Sequence, residues 1–369
     1  MSIRSAETSL RLADWLAETS IGPNVQVLKL TAATGAGFSA ETAFAQVEAI
    51  EDGRGRRENL VVRRQIEGGG LFLNSDLNLQ YRMMAELGHH PAIPVPQLIG
   101  IEFDRAVMGA PFLVMRQAEG RIVQQSPNYN REGWLRDLPG ERRGDVWRNA
   151  LRVLAEIHGL EWRQGFEFLD RPERGQPGLD QYLNWVEEWY LWARGDRPHP
   201  VTDRALDYLK RSRPREQRVS VLWGDPTPSN ILFRNDLTVS AVIDWEMAVL
   251  GPAEADVAWW LFFDDLFSTG MGVTRLEGLP DRLTSISWYE SFAGRRLENM
   301  DYYDVLATFR MAIVGMRAVD RQIGLGRIPG TTTARTHAPI MRMLADKLGE
   351  PLPEVGQDFF EFMAALGMH

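Results

Sequence analysis

The sequence predicts an α+β fold in two unequal lobes, a small antiparallel β-rich lobe over residues 1–117 and a larger helical lobe over 118–369. Three observations predict it. Alternating apolar runs separated by glycine-containing turns fill the first third of the chain, helical periodicity fills most of the remainder, and one short β segment interrupts the helices at 219–244. A length of 369 residues exceeds one ordinary domain and leaves ample chain for a core.

The N-terminal stretch has no apolar signal-like segment and reads as an amphipathic helix through Leu10, Leu12, Trp15 and Leu16. Val25–Leu30 alternates, a small-residue loop follows over Thr34–Thr42, and Ala43–Ile50 alternates again before the turn at Gly53. Leu60–Arg64 supplies a third run, so strand, loop, strand, turn and strand form a meander. Asp76–Leu87 has helical spacing, Pro91–Pro96 is a connector, and Phe112–Met115 is an apolar strand ending at the boundary between lobes. Helices are expected over Asp145–Gly159, Leu179–Arg194, Thr202–Ser212 and from about Asp256 to Met363.

Composition excludes several chemistries. With no cysteine, disulfides, thiolate metal sites and a cysteine nucleophile are out. A net charge of −9 argues against a nucleic-acid or membrane partner. Val257–Phe263, the longest apolar run, is far below the about 20 residues that span a bilayer. The expected location is the cytoplasm. The six histidines lack metal spacing, and the chain has no G-x-S-x-G elbow, G-x-G-x-x-G fingerprint or G-x4-G-K-[ST] loop.

The chemistry is concentrated in V-L-W-G-D-P-T-P-S-N-I-L-F and V-I-D-W-E. Asp225 and Asn230 lie five apart on a Gly/Pro-rich loop, and Asn230 opens the strand Ile231–Phe233. After a turn at Asn235-Asp236, a second strand runs to Ile243 and Asp244. A hairpin centred on residue 237 would set Asn230 opposite Asp244, giving two hard oxygen donors that suit Mg²⁺ and leaving Asp225 to accept a proton. Local turn hydrogen bonding by Asp and Asn is the plainer alternative.

These residues carry a family resemblance. G-D-x4-N followed by I-D-W-E resembles the catalytic and metal loops of the aminoglycoside phosphotransferase / choline kinase branch of the protein-kinase-like fold. Further pieces resemble that family in chain order: the glycine loop with Phe38-Ser39 and Glu41-Thr42, the Leu60–Arg63 strand, Gly109–Met115 leading to the hinge, Leu154–His158, and Gly251-Pro252 with Asp256-Val257-Ala258. The resemblance implies a small-molecule kinase using ATP (GTP being the alternative nucleotide) and Mg²⁺, with a small-molecule hydroxyl as acceptor. It makes Asp225 the catalytic base and Asn230 and Asp244 the metal ligands. It assigns Arg63 to nucleotide phosphates, with Arg64 as its competitor across a one-residue register change, and Ser39 to the nucleotide-covering loop. Adenine would be held by the hinge at Arg116, Gln117 and Ala118. Choline-like amines, aminoglycosides, macrolides, sugars and hydroxyacyl thioesters are all acceptors in this family.

Three positions depart from the pattern. Trp223 stands where a His commonly precedes Gly-Asp, Arg63 replaces the usual strand Lys, and Gln80 replaces the helix Glu that pairs with it, offering an uncharged hydrogen bond to the guanidinium. The last two make a nucleotide-binding pseudokinase scaffold or sensor the alternative, and a metal-dependent phosphohydrolase is an enzymatic rival. Asp256 is expected to cap its helix or brace the catalytic loop, and His158 to be a satisfied core residue. Trp185, Trp189 and Trp192 recur on one helix face, reading first as core and second as the wall of an acceptor pocket.

Overall fold

A computed structural model describes residues 6–33, 40–51, 54–66, 70–73, 76–215 and 218–366. The chain divides into two compact units. One holds Met1–Glu119 together with Ser240–Glu246, and the other holds Gly120–Val239 and Met247–His369. The segment carrying Asp244 thus packs with the first unit, although a single cut at 117/118 would assign it to the second.

The first unit opens with helix α1 (Ala6–Ala17), followed by strands β1 (Val25–Ala32), β2 (Ala40–Glu51) and β3 (Arg54–Gln65). Helix α2 (Leu77–Leu87), strand β4 (Leu98–Glu102), the single turn α3 (Arg105–Met108) and strand β5 (Phe112–Arg116) complete it. The strands form one sheet in the order β1-β2-β3-β5-β4, and every neighbouring pair is antiparallel. Alternation along β2 sends Ala43, Ala45, Val47 and Ala49 to one face, where they meet Leu60 and Val62 of β3. Three alanines leave room for Leu12 and Leu16 of α1 to cover that face. Trp15 anchors the helix, donating from Nε1 to Glu102 Oε2 at 2.9 Å and packing edge-on against Phe112. Asp76 caps α2 by accepting from the Asn78 N–H. Strand β4 was not anticipated, because its alternation is short and directly follows the prolines of the connector.

The second part of the chain continues with α4 (Trp134–Asp137), α5 (Gly140–His158), α6 (Leu179–Arg194), α7 (Pro200–Arg211), β6 (Ser220–Leu222), β7 (Ile231–Phe233), β8 (Val239–Val242) and β9 (Val249–Gly251). It ends with α8 (Ala253–Phe267), α9 (Arg282–Ala293), α10 (Met300–Gly324), α11 (Pro339–Lys347) and α12 (Gln357–Ala365). Helix α8 is apolar on nearly every side and lies at the centre of the second unit, against α10, with Trp260 meeting Trp147 of α5 edge-to-face at 5.5 Å. Strands β6 and β9 pair antiparallel and so bring the start of the Trp223–Asn230 loop beside the N-terminus of α8. Among the described residues no helix is long and apolar enough to cross a membrane.

Candidate active site

The loop after β6 is shaped by a close backbone approach. Gly224 has φ +86°, and a Cβ there would lie 2.0 Å from the Met247 carbonyl oxygen, so only glycine fits. Its N–H and that of Trp223 both donate to the Asp256 carboxylate, the latter at 2.8 Å. Asp256 is fully buried near the start of α8 and also receives His158 Nε2 at 3.2 Å. Donation from Nε2 leaves Nδ1 as an acceptor, which takes the Tyr289 hydroxyl at 2.7 Å. Burial holds the Tyr289 pKa above that of a free phenol, so this donor keeps its proton. Asp256 therefore braces the loop, and His158 is a core residue with both ring nitrogens engaged.

Asp225 follows directly. Trp259 Nε1 donates to its Oδ1 and Asn230 Nδ2 to its Oδ2, each at 2.8 Å. With its amide nitrogen committed to Asp225, Asn230 presents Oδ1, a hard oxygen that accepts no hydrogen bond among the described residues. A second support comes from α10. The fully buried Arg310 guanidinium donates to the Gly224 carbonyl at 2.7 Å and the Tyr182 hydroxyl at 2.8 Å, and lies 4.2 Å from the centre of the Trp259 ring. Burial pushes the Tyr182 hydroxyl up to about 12 despite the nearby guanidinium.

In the first unit, Arg63 is the inward member of the Arg63-Arg64 pair. It is 8 % exposed, and its Nη1 donates to Asp244 Oδ1 at 3.2 Å. Arg64 points elsewhere, to Glu41 and the Met108 carbonyl. Burial works against the Arg63 charge, but Asp244 and the nearly buried Glu246 outweigh it and hold the guanidinium above its ordinary pKa. Asp244 has φ +64°, a strained conformation that Asp tolerates better than most residues. The segment before it is tied down by the Val242 N–H on the Pro94 carbonyl at 2.7 Å and by the buried Trp245, which donates to the Val242 carbonyl.

The expected hydrogen bond between Gln80 and the guanidinium does not form. Gln80 is 1 % exposed, and neither its Nε2 nor Arg63 Nε has a hydrogen-bond partner among the described residues. Guanidinium is donor-only and Asp244 offers it a charged acceptor, which an amide oxygen does not match. At the hinge, the Arg116 N–H donates to the Gln97 carbonyl and the Gln117 N–H to that of Asn59, while the Arg116 side chain pairs with Glu58. The Ala118 N–H has no partner among the described residues. Ser39 lies outside the described residues.

Along the tryptophan stripe of α6, Trp189 is core at 1 % exposure, Trp185 stacks on it, and Trp192 is an exposed residue with Arg317 over its ring. Sequence reasoning missed Trp259 and Arg310. A lone Arg inside the apolar run Leu306–Met316 was the available signal for the latter.

Comparison with known proteins bears on the same residues. A sequence profile of the phosphotransferase enzyme family APH matches residues 37–283, more than half of the chain. The mouse protein named acyl-CoA dehydrogenase family member 10 is 25% identical over 310 residues, covering 81% of this chain and 27% of its own length. The chain thus spans only about a quarter of that relative. Among solved structures, a putative aminoglycoside phosphotransferase from Ralstonia eutropha superposes with a TM-score of 0.65 at 20% identity, covering 92% of this chain and 98% of the other. A thermostable mutant of aminoglycoside phosphotransferase APH(4)-Ia, in ternary complex with AMP-PNP and hygromycin B, superposes at 0.52 with 16% identity, covering 96% and 98%. These two likenesses establish a protein-kinase-like fold. By its match to the profile, the chain belongs to the APH phosphotransferase enzyme family.

Proposed function

We propose that this protein transfers the γ-phosphoryl group of ATP to a hydroxyl of a small molecule, with Asp225 as the base. The observation that carries the reading is the pair of N–H donors, Trp259 Nε1 and Asn230 Nδ2, that orient the Asp225 carboxylate. Each carboxylate oxygen has two lone pairs, so these two hydrogen bonds do not by themselves use up its capacity for a proton. In the reaction the acceptor oxygen forms a bond to Pγ, the bond from Pγ to the β,γ-bridging oxygen breaks, and ADP leaves with that electron pair. The acceptor proton passes to Asp225.

The donor set fits Mg²⁺: one amide oxygen from Asn230 and one carboxylate from Asp244, both hard. When bound, the ion offsets charge on the transferred phosphoryl group. Arg63 pairs with nucleotide phosphates, and Gln80 and Ser39 belong to the same nucleotide-binding set. The hinge at Arg116–Ala118 takes the base through the Ala118 N–H, with GTP as the alternative nucleotide. The AMP-PNP complex of the APH(4)-Ia neighbour supports nucleotide use. In this reading the enzyme works in the cytoplasm, where Mg·ATP is held.

A hydroxyacyl thioester is the acceptor class that one specific observation favours, namely the match to a chain named for acyl-CoA dehydrogenases. The deciding experiment is ADP release with Mg·ATP across a panel of hydroxyacyl thioesters, amino alcohols, sugars and antibiotics. Acceptor-stimulated turnover that disappears in Asp225→Asn, with nucleotide binding kept, is the expected result. Nucleotide binding without turnover on any acceptor would mark a pseudokinase instead, and ATP-independent phosphoester cleavage a hydrolase.

A further inference from the structure

Away from Asp225, the second unit has a depression of about 840 Å³. Four guanidiniums line it, those of Arg131, Arg136, Arg143 and Arg275, and Glu277 is the one carboxylate in its wall. In a chain of net charge −9 this is a local reversal of sign. Arg275 is neutralised by Asp264, to which it donates from Nε at 3.0 Å and Nη2 at 2.7 Å. The other three are not. Arg143 donates to the carbonyls of Glu277 at 2.8 Å and Arg136 at 2.6 Å, and Arg136 to that of Asn130 at 2.9 Å. Carbonyls orient a guanidinium without cancelling its charge. Among the described residues the buried Nε of Arg143 has no partner, and the Arg131 side chain makes no hydrogen bond or ion pair.

The floor is rigid. Buried Asn130 donates to the Phe267 carbonyl at 3.0 Å and accepts the Leu276 N–H at 2.8 Å, pinning the 272–277 loop to the end of α8. Like charges held close on a fixed frame repel one another until an anion lies between them. Their forked N–H groups match phosphate oxygens.

We propose that this depression binds a small molecule bearing a diphosphate group. Three guanidiniums without a carboxylate partner outnumber the single Glu277 carboxylate and suit the oxygens of two linked phosphates, and the volume leaves room for an organic part. Trp259, which holds Asp225, and Phe267 lie eight residues apart on α8, which at 1.5 Å per residue is about 12 Å, so this site is separate from the base. The same chemistry has two sources: the distal end of the phosphoryl acceptor, or a free effector.

The probe is inorganic pyrophosphate, titrated calorimetrically into the full chain in EDTA, so that binding is read independently of turnover and of the proposed reaction. Saturable binding is expected, weakened about tenfold or more in each of Arg131→Gln and Arg136→Gln with the unfolding midpoint unchanged. Arg63→Gln, which alters the nucleotide-phosphate cation, leaves it unchanged. No saturable binding, wild-type affinity in Arg131→Gln and Arg136→Gln, or loss in Arg63→Gln would each overturn the proposal. Once an acceptor is known, pyrophosphate competing with it marks the distal-end source, and a changed kcat at saturating acceptor marks the effector.

Discussion

Replacing Gly224 with Ala tests whether the catalytic loop is shaped by backbone contact. The added methyl would lie 2.0 Å from the Met247 carbonyl oxygen and 2.5 Å from its carbon, both main-chain atoms. A residue with a Cβ at φ +86° also costs about 1–2 kcal/mol. Relieving the overlap means moving the loop by about 1 Å, which strains the Arg310 bond to the Gly224 carbonyl and the N–H bonds to Asp256. Hydrogen bonds to charged groups are worth about 1.5–3 kcal/mol each. The total is about 5 kcal/mol, and at about 2–4 °C per kcal/mol the Tm falls by about 10 °C or more. Gly294→Ala is the control: φ is +65° there with nothing within 4 Å, so only the conformational cost of about 1 kcal/mol remains. Thermal unfolding followed by circular dichroism, with phosphotransfer measured in parallel, reads the difference. A Gly224→Ala protein melting within about 2 °C of wild type and still turning over would refute the reasoning.

Arg310→Met strips the donor from the Gly224 carbonyl and from Tyr182, so both unfolding free energy (by about 3–5 kcal/mol) and kcat should fall while the KM for ATP holds. Arg63→Gln should raise the KM for ATP about tenfold, with Arg63→Lys recovering part of the loss; an unchanged KM in steady-state kinetics would count against the phosphate role. On α6, Trp189→Ala should cost about 3–5 kcal/mol in a denaturant titration, because the ring is core. Trp192→Ala should cost no more than about 1 kcal/mol, the worth of its cation–π contact with Arg317.

Local pattern made the meander legible. Alternation in Ala43–Ile50 and Leu60–Arg64 matches β2 and β3, but it sets Arg64 on the face of Leu60 and Val62; Arg63 is buried on the other face, where it meets Asp244. Helices announced themselves less evenly: α6 has its expected bounds, whereas α5 starts five residues before the expected Asp145 because its first turn carries polar residues. The spacing of Asp225 and Asn230 was readable, and the structure links the two side chains by a hydrogen bond. What escaped depends on long-range contact. Arg310 meets Gly224 across 86 residues of chain, and Ser240–Glu246 joins a unit that otherwise ends at Glu119. Gln80 was expected to bond the guanidinium and instead lies buried without such a bond, since the sequence cannot tell which acceptor a guanidinium will choose.

The Trp223–Asn230 loop takes its shape from outside itself: a carboxylate at the start of α8, an indole one turn further on, a guanidinium on α10 and the main chain at Met247. It is therefore not a transferable part. Grafting its eight residues onto another scaffold would carry the proton acceptor but none of the groups that aim it. By the same logic, libraries meant to retune this enzyme should vary α8 and α10 together with the loop, because a change in any one of the three is read by the other two.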